Sequence, residues 1–248
     1  DEQCEYVRCL IWKGNIPANS AASLIVVYEI ESYSYTWTKG DTISTTIAGQ
    51  SIGMDIDNSG TFDDLYRPGW IGSTTSYIGE QHQWYDRNDG GSYENWAIDG
   101  DHPLVVSTAD NIMASLPTSQ QDNIYAFSHA AFIYVRDTVQ YGQGAPYLPR
   151  SGPTCLAQGM GDCDEQSNAW MSLLRTRNIA TWYEFGALTS MNHEIWEAHA
   201  WSVILIPYSV DWCNSNGINV DSCYLEGSVD VVNNKWLLHT PTAFSEFL

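Results

Sequence analysis

Residues 159–177, GMGDCDEQSNAWMSLLRTR, decide the predicted fold, because they read as a helix over residues 163–177 with a cysteine in its first turn. Asp162 is a suitable N-cap, and Glu165 three residues later completes a capping-box pattern. Arg175 and Arg177 suit the negative end of the helix dipole. The glycines at 159 and 161 give the backbone the freedom that a tight approach to the helix needs.

The position of Cys163 at a helix start matters for its chemistry. Unsatisfied N–H groups and the partial positive charge of a helix N-terminus favour a thiolate over a thiol. The neighbouring carboxylates of Asp162, Asp164 and Glu165 oppose this effect. The sequence therefore predicts that a reactive Cys163 needs an activating base.

His199 is the candidate for that base. It opens HAWSVILI (199–206), a segment with the β-branched and aromatic content of a strand. A cysteine and a histidine that meet where a helix packs on a sheet form a common thiol-enzyme pair. By itself the pairing is not diagnostic, because six cysteines and six histidines offer many accidental pairs.

The wider sequence around these two residues resembles the transglutaminase-like, papain-related superfamily of cysteine enzymes. The family pattern has G-x-G-[VD]-C-x-[DE] opening a helix that ends in L-L-R, then H-A-W, then W-x-x-x-D-P-T. Here these are the GMGDCDE block, HAWSVILI and KWLLHTPT, and the resemblance extends over residues 118–243. It implies an α+β fold with a transglutaminase-like or papain-like core, in which the helix bearing the nucleophile packs on an antiparallel sheet.

The resemblance also implies residue roles. Cys163 would be the nucleophile, and His199 the base that later protonates the leaving amine. Aligning the last block on Trp236 places Thr240 where the family has the aspartate that orients the histidine. A threonine hydroxyl can accept an imidazole N–H but supplies no charge. Asp230 on the preceding strand could replace it if the hairpin is shifted, and His239 is adjacent to position 240.

The oxyanion hole of such an enzyme would use the backbone N–H of Cys163 and a donor upstream of it. Gln158, five residues before the nucleophile, is the candidate for the second donor. The alternative is that Gln158 is an ordinary exposed side chain.

Outward from this block, the chain divides into two regions. Residues 118–139 predict a second helix, with Ser119 and Asp122 as a capping pair, and residues 141–154 predict a Gly/Pro-rich connection. Strands are expected at 180–188, 199–206, 227–232 and 235–240, with a tight turn at Asn233-Asn234. We thus expect a catalytic core over residues 117–248 and a β-rich N-terminal region over residues 1–116.

A separate cation site is predicted in the N-terminal region. DIDNSGTFDDLY (55–66) resembles D-x-D-x-[DS]-G-x-x-D calcium loops, with oxygen donors alternating around Gly60. Its expected ligands are Asp55, Asp57, Ser59, Thr61, Asp63 and Asp64. Tyr66 stands where an EF-hand has its bidentate glutamate, so an ordinary acidic turn is the alternative. A bound calcium ion would have a structural role, and it is the one cofactor that we expect.

Composition limits the possible partners. The 248 residues carry 30 acidic and 10 basic side chains, for a net charge of -20. This charge repels phosphate backbones, so nucleic acids and anionic membranes are disfavoured as partners. The sequence has no apolar run of about 18 residues, and we expect no membrane insertion. The opening residues DEQCEYVRC do not resemble a signal peptide.

The cysteine spacing favours an oxidising compartment. Cys4 with Cys9, and Cys213 with Cys223, are close enough in sequence for small disulfide loops, although unpaired thiols are the alternative. Cys155 is expected to be a small buried residue. A zinc protease is disfavoured, because HEIWEAH (193–199) has Glu197 where HExxH requires histidine.

These observations predict a secreted or cell-surface cysteine-dependent amide hydrolase, a thiol peptidase or isopeptidase that acts on a peptide or protein through a cysteine thioester. One alternative is a protein-glutamine γ-glutamyltransferase that crosslinks glutamine to lysine. Another is a catalytically inactive binding module, which the threonine at position 240 would explain.

Overall fold

The computed structural model describes residues 2–4, 7–9, 14–23, 44–47, 50–68, 70, 97–142, 151–189, 195–238 and 244–245. The chain divides into two compact units, Asp1–Thr36 and Trp37–Leu248. In the first unit, β1 (Glu2–Cys4) and β2 (Val7–Cys9) form an antiparallel pair. This division does not coincide with the predicted boundary at residue 117, which remains a prediction.

The second unit contains the helices and the main sheet. Its helices are α1 (Pro103–Ser115), α2 (Ile124–Thr138), α3 (Gly152–Gln158), α4 (Cys163–Arg175) and α5 (Val210–Ser215). Its strands are β3 (Ser44–Ile47), β4 (Gln50–Gly53), β5 (Gln140–Tyr141), β6 (Met160–Gly161), β7 (Thr181–Thr189), β8 (Trp196–Pro207), β9 (Tyr224–Asp230), β10 (Lys235–Leu238) and β11 (Phe244–Ser245). None of the helices in the described ranges is long and apolar enough to cross a bilayer.

The main sheet has five strands in the order β10-β9-β8-β7-β11. The four strands β7 to β10 pair in antiparallel fashion with their sequence neighbours, as predicted. β11 departs from the expected antiparallel sheet, because it pairs with β7 in parallel. The register shifts between Lys235 and Leu238 along the β9–β10 pair. The helix-on-sheet core predicted for an α+β, transglutaminase-like fold is confirmed.

Helix α4 is the central element of this core. Asp162 is its N-cap and forms a capping box with Glu165, as predicted. Every residue from Glu165 to Leu174 is buried, so all faces of the helix contact protein. The indole N–H of Trp170 donates to the carbonyl of Ser128 on α2 at 3.2 Å. The helix that carries Cys163 is therefore held from more than one side.

Two details of the helix prediction are wrong. The predicted capping pair of α2, Ser119 with Asp122, is replaced by Asn123, whose side chain accepts the N–H of Ala126 at 2.9 Å. The region expected to be β-rich contains the helix α1, whose buried residues Val105 and Ala109 join the same hydrophobic core as α4. Burial against α2 and α4 outweighs the strand preference of its β-branched residues.

Glycines shape the segment between α3 and α4. Gly159 ends α3 with a φ of 62°, a left-handed conformation that glycine adopts without strain. At Gly161, a Cβ atom would lie 2.7 Å from Sγ of Cys155 and 2.9 Å from Cβ of Glu165. Gly161 thus lets the chain pass directly over Cys155 before the helix begins.

The described cysteines behave as the spacing indicates. Cys213 and Cys223 form a disulfide, and Cys155 is buried, so both predictions are confirmed. The side chains of Cys4 and Cys9 lie outside the described part of the structure. Their pairing remains a prediction.

Candidate active site

Cys163 is the first residue of α4 and is partly exposed. Because the first N–H groups of a helix have no partner within the helix, the thiol lies next to unsatisfied donors. Cys155, the other thiol among the described residues, has no exposed surface. Of these two thiols, Cys163 is therefore the one that a substrate can reach.

His199 on β8 lies beside Cys163. The imidazole is 5% exposed and forms a hydrogen bond with the Cys163 thiol. β8 is fixed by its antiparallel pairing with β7, in which His199 is opposite Gly186. The structure therefore brings together the two residues that the sequence predicted as nucleophile and base.

Asp230 completes a triad with these residues. Its Oδ2 atom lies 2.6 Å from Nε2 of His199, and the carboxylate is almost fully buried at the end of β9. Since Nε2 faces Asp230, Nδ1 is the nitrogen left for the thiol of Cys163. The carboxylate can hold the tautomer and orientation of the imidazole and stabilise the imidazolium ion.

Thr240, the residue predicted to orient His199, lies outside the described residues, as does His239. The contact expected of Thr240 is made instead by Asp230, the alternative on the preceding strand. β9 pairs with β8, which carries His199, and this pairing brings the end of β9 to the imidazole. The family motif alone does not indicate Asp230, because the aspartate of the motif falls at position 240, after β10, whereas Asp230 ends β9.

The ionisation of His199 follows from these contacts. Burial lowers the pKa of the imidazole, but hydrogen bonds to Asp230 and Cys163, together with their negative charges, raise it to about 9. His199 is therefore an imidazolium ion at neutral pH. A protonated imidazole next to a thiol favours the thiolate form, which is the nucleophile of cysteine enzymes.

Carboxylates also surround the thiol. Oδ1 of Asp164 lies 3.8 Å from Sγ of Cys163 and accepts a hydrogen bond of 2.7 Å from the hydroxyl of Tyr183. Burial and the nearby charges of Glu165 and Asp164 raise the pKa of Asp162. The thiol of Cys163 therefore lies between these acidic groups and the imidazole of His199.

Two further side chains, Trp201 and Glu184, extend the contacts of the imidazole. Neither of them is predicted from the sequence as a site residue. The ring of Trp201 stacks on His199 with centroids 6.0 Å apart, and its indole N–H donates to Oε2 of Glu184 at 3.1 Å. Burial raises the pKa of Glu184, although hydrogen bonds from Trp182 and Trp201 oppose this. The H-A-W motif contains Trp201, and its spacing from His199 along one strand indicates a shared face.

The rim of the site combines apolar and acidic groups. Slight desolvation, followed by the charges of Cys163, Asp162 and Glu197, raises the pKa of Tyr141 even though most of its side chain is exposed. These charges lie close enough to the phenol to affect it, and the side chain of Tyr141 is itself exposed. Tyr141 on β5 is opposite Gly161 on β6, so this short parallel pair borders the start of α4.

Gln158, the predicted oxyanion donor, is the last residue of α3 and is exposed. Its role remains a prediction. The backbone N–H of Cys163, at the first helical position, is the donor that the fold itself places at the nucleophile.

In the described part of the structure, the four aspartates among the predicted calcium ligands form no tight cluster of carboxylates. No three of the carboxylates of Asp55, Asp57, Asp63 and Asp64 lie within 4.8 Å of one another, although all four are described. Oδ1 of Asp55 accepts the N–H of Asp57, and Oδ2 of Asp64 accepts the N–H of Thr61. These oxygens cap turns of the protein.

Two further contacts complete the description of this loop. Asp64 also pairs with Arg67, and the buried hydroxyl of Ser59 accepts the N–H of Tyr125. The calcium site remains a prediction, and the reaction proposed for this protein does not depend on it.

The raised pKa of His199 predicts a pH-dependent stability. The folded-state value of about 9 exceeds the ordinary value of 6.5, so protonation stabilises the fold fully below about pH 6.5. This stabilisation is lost as the pH rises through about 9. We expect the free energy of unfolding, measured in urea, to fall over this range by up to about 3 kcal/mol. The His199→Gln variant should lose this slope, and an equal slope in both proteins would contradict the assignment.

One comparison with known proteins covers the residues that carry Cys163 and His199. Residues 109–216 match the sequence model of the transglutaminase-like superfamily. This range includes Cys163 and His199, whereas Asp230 lies beyond it. Among curated proteins, no sequence matches the chain.

One solved structure, that of a proposed cysteine protease from Cytophaga hutchinsonii, is similar to part of the chain. The similarity has 15% sequence identity and a TM-score of 0.33, and it covers 49% of this chain and 38% of that protein. At this TM-score the likeness carries no argument about the fold or activity. What the comparisons show is therefore a sequence match of residues 109–216 to the transglutaminase-like superfamily, over a part of the chain that folds as helices packed on an antiparallel sheet.

Proposed function

We propose that this protein is a cysteine-dependent amide hydrolase, a peptidase or isopeptidase that acts through a thioester on Cys163. The observation that carries the proposal is the continuous series of contacts from Cys163 to His199 and from His199 to Asp230. The alternative of an inactive binding module depended on an uncharged residue in the orienting position. It loses its main support because the buried carboxylate of Asp230 makes that contact.

The first half of the reaction cleaves the amide. The thiolate of Cys163 attacks the carbonyl carbon, and the oxyanion that forms accepts the backbone N–H of Cys163. The imidazolium of His199 gives its proton to the leaving nitrogen as the C–N bond breaks. The products of this half are a free amine and a thioester between the acyl group and Sγ.

The second half hydrolyses the thioester. His199, now neutral, takes a proton from a water molecule while the oxygen of that water attacks the thioester carbonyl. The C–S bond breaks, a carboxylic acid leaves, and the thiolate–imidazolium pair is restored. The partial exposure of Cys163 supports water as the acceptor, because solvent can reach a thioester at this position.

Charge supports a restricted class of substrate. The net charge of -20 and the carboxylates of Asp162 and Asp164 around the thiol disfavour acidic acyl groups. We therefore expect neutral or basic peptides to be better substrates than acidic ones. Their advantage should shrink with added salt, because salt screens interactions between exposed charges.

The proposal is tested by following which nucleophile resolves the thioester. Denatured casein is incubated with the protein in ¹⁸O-labelled water, with and without dansylcadaverine as a competing primary amine, and the peptides are identified by mass spectrometry. We expect new carboxyl termini that carry one ¹⁸O atom, or isopeptide hydrolysis with the same label, and little amine incorporation. The Cys163→Ala variant is the control for contaminating proteases.

The alternative, a protein-glutamine γ-glutamyltransferase, gives a different result in the same experiment. Dansylcadaverine would then be incorporated at glutamine side chains in preference to hydrolysis, and the backbone would remain intact. That outcome would replace the hydrolase proposal while retaining the thioester mechanism.

We also propose that the protein works in an oxidising compartment, secreted or at the cell surface. The disulfide between Cys213 and Cys223 supports this location. Mass spectrometry of the protein isolated from its native source, alkylated before reduction, would show whether this bond is formed there.

A further inference from the structure

We propose that Asn233 is a positioning residue that fixes the carboxylate of Asp230 against His199. The proposal rests on the function proposed above in so far as the triad performs catalysis. Its geometric part, the control of the Asp230–His199 pair, can be tested without any substrate.

Asn233 binds both oxygens of Asp230. Its backbone N–H donates to Oδ1 at 3.1 Å, and its side-chain Nδ2 donates to Oδ2 at 2.8 Å. The same Oδ2 faces Nε2 of His199 at 2.6 Å. The carboxylate is thus held in one plane by two hydrogen bonds from a single residue, and its second oxygen is directed at the imidazole.

The side-chain amide also has a defined relation to the imidazole. Nδ2 of Asn233 lies 3.3 Å from Nε2 of His199. An amide nitrogen and a protonated ring nitrogen are both donors, so they cannot bond to each other and both must use Oδ2 of Asp230. The reverse orientation of the amide would direct its oxygen at the carboxylate, which is unfavourable.

Hydrogen bonds are needed to fix the orientation of the Asp230 carboxylate, because rotation about its terminal torsion is weakly restricted. The χ2 torsion of aspartate is broad, so one hydrogen bond alone does not fix the plane of the group. Asn233 lies in the turn that joins β9 and β10, where the N–H of Asn234 donates to the carbonyl of Val231 at 3.1 Å. Because this turn is itself hydrogen-bonded, it holds the donor groups of Asn233 in a fixed position relative to the carboxylate.

The side-chain and backbone hydrogen bonds of Asn233 can be tested separately. Substitution removes the bond from Nδ2 to Oδ2 but leaves the backbone N–H on Oδ1, so the turn can persist. A purely structural role predicts a loss of stability alone. A positioning role predicts a change in the titration of His199, because the imidazolium is stabilised by Asp230.

The test compares Asn233→Ala and Asn233→Asp with the wild-type protein. Asn233→Asp keeps the shape of the side chain but cannot donate to Asp230, so it remains informative if the alanine variant fails to fold. The control is Asn234→Gly, which removes the exposed contact with Arg136 while allowing the positive φ of 52° at that position.

The expected results concern both the imidazole and turnover. By NMR, the pKa of His199 should fall in Asn233→Ala from about 9 towards 6.5. With a peptide substrate, both Asn233 variants should lose about tenfold in kcat with little change in KM, as expected for one hydrogen bond to a charged group. Asn234→Gly should match the wild-type protein in both measurements.

Two results would overturn the inference. One is an unchanged or higher pKa of His199 in Asn233→Ala, and the other is wild-type kcat in Asn233→Asp. If no peptide substrate is cleaved by any of the proteins, the amide hydrolase proposal fails, but the titration of His199 still decides whether Asn233 positions Asp230.

Discussion

Replacing Cys163 with alanine is expected to reduce amide hydrolysis by at least about 10⁴-fold, because the variant cannot form a thioester. The fold should survive, since the side chain is partly exposed and the capping box of Asp162 and Glu165 does not involve the thiol. Turnover of the best peptide from the casein digest measures the loss. Circular dichroism and thermal unfolding verify the fold.

Cys155→Ala is the matched control for this prediction. Cys155 is also a thiol, but it is fully buried next to Gly161. Its removal should leave kcat/KM within about threefold of the wild-type value, with some loss of stability from the small cavity. Retained activity in Cys163→Ala, or its loss in Cys155→Ala with an intact fold, would contradict the assignment of the nucleophile.

Replacing Asp230 with asparagine is expected to lower kcat by about 10³–10⁴-fold. A comparable loss follows when the aspartate of other triads is replaced, because the wrong tautomer of the imidazole is then held. The high pKa of His199 should also fall, since burial lowers it and the hydrogen bond and charge of Asp230 oppose that effect. The variant should therefore lose activity at a lower pH than the wild-type protein when the pH is raised.

Thr240→Val provides the comparison, because Thr240 is the residue that the family motif places in the orienting position. We expect this variant to keep most of the activity and an unchanged upper pH limit. If Thr240→Val had the larger effect on kcat and Asp230→Asn were close to wild type, the orienting residue would be wrongly assigned.

The central helix and the nucleophile could be predicted because they depend on local sequence. The capping residues Asp162 and Glu165 are neighbours of Cys163, and the observed helix begins where they indicate. The strand of His199 was also predictable from its β-branched and aromatic residues. The assignment of Cys163 and His199 as a catalytic pair came from the family resemblance, since their spacing in sequence does not distinguish them from other cysteine and histidine pairs.

Asp230 was named only as an alternative because its role depends on pairing between strands. The contact requires β9 to lie beside β8, with the turn at residues 231–234 in a particular register. No local pattern reports such a register. The nearest indication is Asn233, since asparagine in a turn can bond a carboxylate three residues before it.

The short helices were missed for a related reason. α3, GPTCLAQ, has seven residues and starts with glycine and proline, which resembles a loop in sequence. Proline is tolerated in the first turn of a helix, and the hydroxyl of Ser151 caps it by accepting the N–H of Thr154 at 3.2 Å. Packing of α3 against α4 stabilises a segment too short to form a helix alone.

The calcium prediction shows the limit of a ligand pattern. The spacing of the acidic residues in 55–66 suits a metal loop, but hydrogen bonds to backbone N–H groups use the same oxygens. Which role applies depends on the curl of the loop, so the calcium site remains a prediction.

Activation of Cys163 by His199 can be tested without a substrate. The measurement is the rate at which iodoacetamide modifies each cysteine of the native protein at neutral pH, followed by peptide mass spectrometry. We expect Cys163 to be alkylated much faster than Cys155 in the wild-type protein. The His199→Gln variant should lose most of this difference in rate. Equal rates at Cys163 in the two proteins would show that the imidazole does not activate the thiol, and the proposed mechanism would be wrong.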